Sequence, residues 1–182
     1  MSVGTPDFKT PEYIKKAVAE AAMDDNNWKY SLRDLPELLD AVCIYYKKRF
    51  DVELTPNMVM TVYGSQEGMG HLGMALCDEG DTVLLPDPCY PVFAAGSLMA
   101  GAVPYYYPLV AEHDFLPYVK GIPEEIANKA KYMVVSLPSN PVGSIATPGL
   151  YEEIVEFAKK YDILIIHDLS LIHISDPTRL RC

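Results

Sequence analysis

Positive charge is scarce in this sequence. Its 182 residues include 15 lysines and arginines against 25 aspartates and glutamates, a formal net charge of −10 at pH 7. Nucleic-acid phosphates and anionic membrane surfaces both attract proteins through a basic face. The composition therefore argues against nucleic acid and against membrane lipid as partners.

Long apolar runs and paired cysteines are also missing. No apolar run reaches the ~18 residues that a membrane-spanning helix requires. The cysteines form no C-x-x-C pair and no zinc-like spacing; they are Cys43, Cys77, Cys89 and Cys182. A disulfide framework is therefore not expected. The first residues do not resemble a signal peptide, and we expect a protein of the reducing cytoplasm.

Several motifs that would point to particular chemistries are absent as well. The sequence contains no G-x-x-x-x-G-K-[ST] phosphate loop and no G-x-S-x-G nucleophile elbow. The histidines show no metal-binding spacing such as H-E-x-x-H; they are His71, His113, His167 and His173. We expect neither a hydrolase triad nor a metal site.

What the sequence does contain is an alternation of helical and strand-like segments. The strand-like segments are short and almost wholly apolar, at residues 58–64, 82–85, 103–107, 132–137 and 163–166. Helical patterns separate them, and two more precede them, the second with Asp34 as a candidate N-cap. Buried strands alternating with helices predict an α/β fold with a mostly parallel sheet flanked by helices. Many nucleotide-binding proteins share that order, so the fold alone does not identify a function.

Polar residues follow the predicted strands, at the sheet edge where open α/β proteins bind ligands. Ser65 and Gln66 follow Gly64 at the start of a predicted helix, where backbone N–H groups and a hydroxyl favour a phosphate. The alternative is an ordinary turn with Ser65 as N-cap. The stretch D-P-C-Y-P at residues 87–91 holds Tyr90, whose ring either stacks on a ligand or belongs to the core.

Two more polar residues end later strands. Asn140 lies in S-N-P-V-G, a sequence whose residues also favour an ordinary turn with no binding role. Asp168 ends the apolar run I-L-I-I-H, where an unpaired carboxylate is costly to bury and a cationic ring nitrogen is a suitable partner. Alternatively, Asp168 caps the next turn. His167 either orients Asp168 or is a satisfied structural histidine.

Taken together, G-S-Q-E-G at 64–68, D-P-C-Y-P at 87–91, N-P-x-G at 140–143 and the strand ending in H-D resemble a known cofactor pocket. It is that of the class I and II (fold-type I) pyridoxal 5'-phosphate (PLP) aminotransferases, nearest the LL-diaminopimelate and alanine aminotransferase-like branch. The resemblance implies that Ser65 and Gln66 hold the phosphate and Tyr90 stacks on the ring. It also implies that Asn140 donates to the ring oxygen and Asp168 keeps the ring nitrogen protonated.

The resemblance implies partners as well. Tyr30 matches a tyrosine that reaches the cofactor phosphate of a neighbouring subunit, which implies a homodimer. Gly4 matches a glycine whose backbone lies near the substrate carboxylate. The substrates implied are an amino acid and a 2-oxo acid, in amino acid metabolism.

The chain departs from the family near its C-terminus. Leu171 stands where the family has a tyrosine, and the lysine that binds the cofactor covalently (the Schiff-base lysine) has no counterpart. We expect residues 1–50 to be a helical lead-in and residues 51–168 part of the PLP-binding large domain. Residues 169–182 resemble no part of the family and are expected to be artefactual, with the C-terminal small domain and an N-terminal segment missing.

Three functional hypotheses follow. The first is transamination by the full-length parent protein, with this chain inactive because it lacks the Schiff-base lysine. The second is a PLP-dependent carbon–sulfur lyase, which uses the same cofactor residues. The third is a non-catalytic PLP-fold fragment.

Overall fold

The computed structural model describes residues 8–168. Within them the chain divides between Val62 and Tyr63 into two compact units. Gly4 and the segment 169–182 lie outside the described residues, so the expectations made for them stay predictions. The expected domain boundary near residue 50 also stays a prediction.

The unit before Tyr63 is built from two helices, α1 (Glu12–Ala22) and α2 (Pro36–Phe50). Proline in the first turn of α2 suits a position whose N–H has no partner within the helix. Lysines and an arginine in its last turn complement the negative end of the helix dipole. No side chain between residues 8 and 62 is fully buried.

Asp34 does not cap α2, contrary to the sequence-based expectation. Leu35 occupies the N-cap, and no side chain caps the helix there. Instead the Asp34 carboxylate accepts hydrogen bonds from the Thr61 amide, at 3.1 Å, and from the Thr61 hydroxyl. These bonds hold the pKa of Asp34 below its ordinary value.

The strand expected over residues 58–64 is also absent. A 3₁₀ turn covers Pro56–Met58, and the chain then runs to Tyr63 without pairing to another strand. The amide of Thr61 donates to Asp34 rather than to a neighbouring strand, so this apolar segment forms no ladder.

The unit after Val62 contains a four-stranded sheet in the order β2-β1-β3-β4, and all three strand pairs are parallel. Its strands are β1 (Thr82–Asp87), β2 (Val103–Pro108), β3 (Ala130–Ser136) and β4 (Leu164–Asp168). Its helices are α3 (Ser65–Leu76), α4 (Val92–Met99), α5 (Glu124–Ala127) and α6 (Leu150–Tyr161). The predicted parallel sheet flanked by helices is confirmed.

Side chains alternate between the two faces of this sheet, because successive residues of a strand point in opposite directions. On one face, here called the α6 face, Met133 and Val135 pack with Ile154 of α6. On the other, the α3–α4 face, Val83 and Val134 of the sheet pack with residues of α3 and α4. The sheet thus separates two apolar cores.

A buried polar group of the α6 face forms its hydrogen bond within the sheet. Tyr107 of β2 is 2% exposed, and its hydroxyl donates to the backbone carbonyl of Val134 at 2.6 Å. Burial raises the pKa of this phenol far above its ordinary value. A neutral, hydrogen-bonded hydroxyl avoids the cost of an unpaired buried polar group.

Helices α3 and α4 cross so closely that only glycine fits at the contact. A Cβ on Gly73 would lie 2.2 Å from the carbonyl oxygen of Gly96. A Cβ on Gly96 would lie 2.7 Å from the carbonyl oxygen of Gly70. Backbone packs directly on backbone here, so neither neighbour can move aside as a flexible side chain would.

Among residues 8–168, no helix combines the length and the apolar character that crossing a bilayer requires.

The helix crossing generates a first prediction. Gly73→Ala should lower the free energy of unfolding by about 3 kcal/mol, because overpacking against backbone forces the two helices apart. Gly70→Ala is the matched control, since its new Cβ meets only Val92 Cγ2 at 3.9 Å. That variant should be neutral or gain up to about 1 kcal/mol from helix propensity. Urea unfolding compares them, and equal effects of the two changes would refute the proposed collision.

Candidate functional site

The carboxyl ends of the strands bring the candidate residues to one edge of the sheet. Asp87 ends β1, Ser136 ends β3 and Asp168 ends β4, with Ser136 and Asp168 directly paired in register. The loop after β1 carries Tyr90, and the loop after β3 carries Asn140. Residues far apart in the sequence therefore share an edge, as parallel topology requires.

Strand alternation assigns Asp168 and His167 to opposite faces. Ile166 packs with the α3–α4 core and Ile165 with the α6 core. Two residues further on, Asp168 shares the face of Ile166, and His167 shares that of Ile165. Asp168 is thus on the same side of the sheet as Tyr90, which packs against the α3–α4 core.

The start of α3 has the features of an anion site. Gly64 is its N-cap and has φ +85°, a conformation that favours glycine. Ser65 is the first helical residue, so its interpretation as the N-cap is wrong by one position. The first turn of a helix leaves N–H groups without partners inside the helix, and these groups attract phosphates.

Tyr90 connects the β1–α4 loop to the start of α3. Its hydroxyl donates to Gln66 Oε1 at 3.3 Å. Its ring meets that of Phe93 edge-on, with centroids 6.1 Å apart and planes 75° apart. The ring is half-buried, so part of it belongs to the core while its hydroxyl reaches the proposed phosphate-binding turn.

Asn140 lies in a closed turn that follows β3. The Gly143 amide donates to the Ser139 carbonyl at 2.6 Å, and the Ser139 amide donates to the Ser144 carbonyl at 3.1 Å. Gly143 has φ +81°, which explains a glycine at this point of the turn. The loop is therefore internally braced, with Asn140 half-buried within it.

His167 faces away from this site, into a polar contact that the sequence did not predict. Its Nε2 lies 3.3 Å from the hydroxyl of Tyr151 in α6. Burial lowers the pKa of His167, and the nearby Asp168 and the Leu137 backbone only partly oppose this. Nothing in the sequence marks Tyr151 as a partner of His167. Tyr151 lies on an ordinary amphipathic helix, and His167 follows 16 residues later in a strand.

Two candidates are not among the described residues of the unit that holds this edge. Tyr30 belongs to the unit before Tyr63, where 90% of its surface is exposed. Gly4 lies outside the described residues. The proposed roles of both stay predictions.

The residues at the edge fit PLP in chemical type. PLP combines a phosphate dianion, a flat ring and a ring nitrogen that binds a proton. The opposing groups are the glycine-capped start of α3, the half-buried ring of Tyr90 and the carboxylate of Asp168. A Cβ added to Gly64 would meet nothing within 4 Å, so the backbone at the start of α3 is open to approach. Within residues 8–168, no group of three or more metal-binding side chains comes together.

Comparison with known proteins gives a consistent match. The family described as Aminotransferase class I and II matches residues 1–174. The LL-diaminopimelate aminotransferase of Aquifex aeolicus is 42% identical over 170 residues, covering 92% of this chain and 44% of that protein. The chain thus spans less than half the length of the curated relatives that it matches.

Solved structures agree with the sequence match. An aminotransferase from Staphylococcus aureus superposes with a TM-score of 0.85 at 32% identity, covering 92% of this chain and 45% of that one. A probable N-succinyldiaminopimelate aminotransferase from Thermus thermophilus has a TM-score of 0.83 at 35% identity, with the same coverage of 92% and 45%.

The surroundings of His167 generate a second prediction, on acid stability. Its folded pKa is below the ordinary 6.5, so the unfolded chain binds the proton more tightly. Stability should therefore fall as pH drops through about 6.5 and should level off below the folded pKa. His167→Gln should flatten this part of the profile. Urea unfolding between pH 7.5 and 5 tests it, and identical profiles for both proteins would contradict it.

Proposed function

Because the chain belongs to the class I and II aminotransferases, we propose that the whole protein uses PLP to move an amino group between an amino acid and a 2-oxo acid. The proposal concerns the whole protein, since the described chain matches less than half of its relatives' length. For the 182 residues alone we propose no activity, since the sequence has no counterpart of the Schiff-base lysine.

One observation carries the proposal. Asp168 ends β4 on the sheet face that also holds Tyr90 and the start of α3. A carboxylate, an aromatic ring and a helix N-terminus at one edge match the three parts of PLP.

Each residue then has a proposed role. The N-terminal turn of α3, with Ser65 and Gln66, would bind the phosphate through N–H and side-chain groups. Tyr90 would cover one face of the ring, with its hydroxyl held by Gln66. Asn140 would donate its amide to the ring oxygen, and Asp168 would hold a proton at the ring nitrogen. When bound, PLP supplies the electron sink that stabilises a negative charge at the substrate Cα.

The position of Asp168 suits its proposed task. Its half-buried place at the strand end strengthens its attraction for a cation compared with bulk water. Asp168 would thereby favour a proton at the ring nitrogen of bound PLP. The roles of Gly4 near the substrate carboxylate and of Tyr30 across a homodimer complete the proposal.

The names of the relatives indicate the first substrate to test. The Aquifex aeolicus and Thermus thermophilus proteins are named for diaminopimelate and its N-succinyl form. We infer an amino acid of the diaminopimelate type as amino donor. A reducing cytoplasm stays the proposed compartment, supported by the free thiols of Cys43, Cys77 and Cys89.

The activity itself is tested on the whole protein supplied with PLP. LL-diaminopimelate and a panel of 2-oxo acids should yield the corresponding new amino acids, detected by chromatography. Release of pyruvate and ammonia from a cysteine thioether, without any amino acceptor, would instead identify a carbon–sulfur lyase. Failure to bind PLP would favour the non-catalytic hypothesis.

A third prediction concerns Asp168. Asp168→Asn should reduce kcat/KM for transamination by about 100-fold or more, because a neutral amide cannot hold the ring proton electrostatically. Asp81→Asn is the control. Its carboxylate precedes β1 at the opposite edge of the sheet, where it accepts from the Asp78 amide at 2.9 Å and pairs with Lys131 at 3.6 Å. Equal losses in the two variants would refute the role of Asp168.

A further inference from the structure

We propose that Glu67 is a positioning residue for the proposed phosphate site, because its carboxylate braces the turn from Tyr63 to Ser65 at which α3 begins. The cofactor phosphate would bind at this turn, so the inference rests on the proposed function and adds a residue to it. Glu67 itself would not contact the phosphate, since a carboxylate and a phosphate dianion repel each other.

The first support is that Glu67 forms hydrogen bonds on both sides of Gly64. Its Oε2 accepts from the Tyr63 amide at 2.5 Å, and its own amide donates to the Gly64 carbonyl at 3.1 Å. A glutamate at the third helical position that bonds back to the chain before the helix resembles a capping box. Here it reaches one residue beyond the N-cap, so one residue closes the whole turn.

The second support is that side-chain packing contributes little to this turn. Gly64 has φ +85°, and glycine loses more conformational freedom than any other residue when it is ordered. The Tyr63 side chain is 98% exposed, and a Cβ on Gly64 would meet nothing within 4 Å. The shape of the turn therefore depends on hydrogen bonds such as the one to Glu67.

The third support is what the turn joins. Beyond it, α3 is fixed by the close contact of Gly73 with the backbone of α4, and Gln66 Oε1 accepts from the Tyr90 hydroxyl at 3.3 Å. All of these residues belong to the same compact unit. The backbone that leads into Ser65 is the remaining part of the site, and Glu67 holds it. Backbone N–H groups bind phosphate at such helix starts, and their directions follow the turn.

The charge of Glu67 and its bracing bond have opposite effects on phosphate binding. A nearby negative charge weakens the binding of a dianion. An ordered turn strengthens it, because the N–H groups are already in place before the ligand arrives. Removing the side chain removes both effects. Replacing the carboxylate with an amide removes only the charge and keeps an oxygen that can accept from Tyr63.

The test uses the whole protein and three variants. Glu67→Ala removes the brace, whereas Glu67→Gln keeps an acceptor without the charge. Asp81→Ala is the matched control, since Asp81 accepts from the Asp78 amide at 2.9 Å, a carboxylate-to-backbone bond of the same kind at the opposite edge of the sheet. Each protein is titrated with PLP and with pyridoxal, which has a hydroxyl in place of the phosphate ester.

The first readout is the affinity of the apoprotein for the two ligands, measured by fluorescence quenching. The Kd for PLP should rise about tenfold in Glu67→Ala and should stay within about threefold of wild type in Glu67→Gln. The Kd for pyridoxal should stay within about twofold of wild type in both, because the turn meets only the phosphate. Asp81→Ala should bind both ligands as wild type does.

The second readout is hydrogen exchange, which needs no cofactor. In the apoprotein, exchange at Tyr63 should quicken about fivefold in Glu67→Ala, because this amide loses its acceptor. In Glu67→Gln it should stay within about twofold of wild type. Exchange in β1 should keep the wild-type rate in both variants.

The outcomes separate this inference from the function on which it rests. If wild type does not bind PLP, the proposed function fails and the inference fails with it. If wild type binds PLP and Glu67→Ala binds it equally or more tightly, Glu67 acts at most through its charge, and the brace alone is refuted. Equal weakening of PLP and pyridoxal, or exchange that quickens equally in β1, would indicate general damage to the fold and would also refute the brace.

Discussion

The close approach of α3 and α4 is the constraint on which the candidate site depends. Gly73 and Gly96 allow the two backbones to touch. Ser65 lies eight residues before Gly73, roughly 12 Å along the helix axis. Tyr90 lies just before α4. Because both helices are rigid over such lengths, the glycine contact sets where the start of α3 meets Tyr90, and the Gln66–Tyr90 hydrogen bond reports that placement.

The two faces of the parallel sheet carry different polar side chains. Alternation sends Asp168 towards α3 and α4 and sends His167 towards α6. The candidate cofactor groups thus gather on one side. The contact between His167 and Tyr151 lies on the other. The two-residue sequence His-Asp therefore contributes one side chain to each face of the sheet.

Much of this was readable from the sequence, and the failures have physical causes. The segments 82–85 and 132–137 were recognisable as strands because they are short apolar runs bounded by turn-forming residues. The segment 58–64 has the same composition, yet Thr61 bonds to Asp34 instead of to a strand. Local pattern cannot reveal a partner 27 residues away. The sequence did not predict the Tyr151–His167 contact or the Gly73–Gly96 contact for the same reason. Each depends on how elements distant in the sequence meet.

The order of the strands in the sheet also determines when each strand pair can form during synthesis. β1 and β2 are close in sequence and pair early, but the partner on the other side of β1 is β3, whose first residue comes 48 positions after Thr82. A ribosome must therefore release β2 and the whole β2–β3 connection before the centre of the sheet can close. Until α6 follows, the apolar side chains of Met133 and Val135 lack the cover of Ile154 and Ala158. Nascent chains of this protein thus pass through a stage in which one face of the sheet is only partly covered, and exposed apolar surface of this kind favours aggregation.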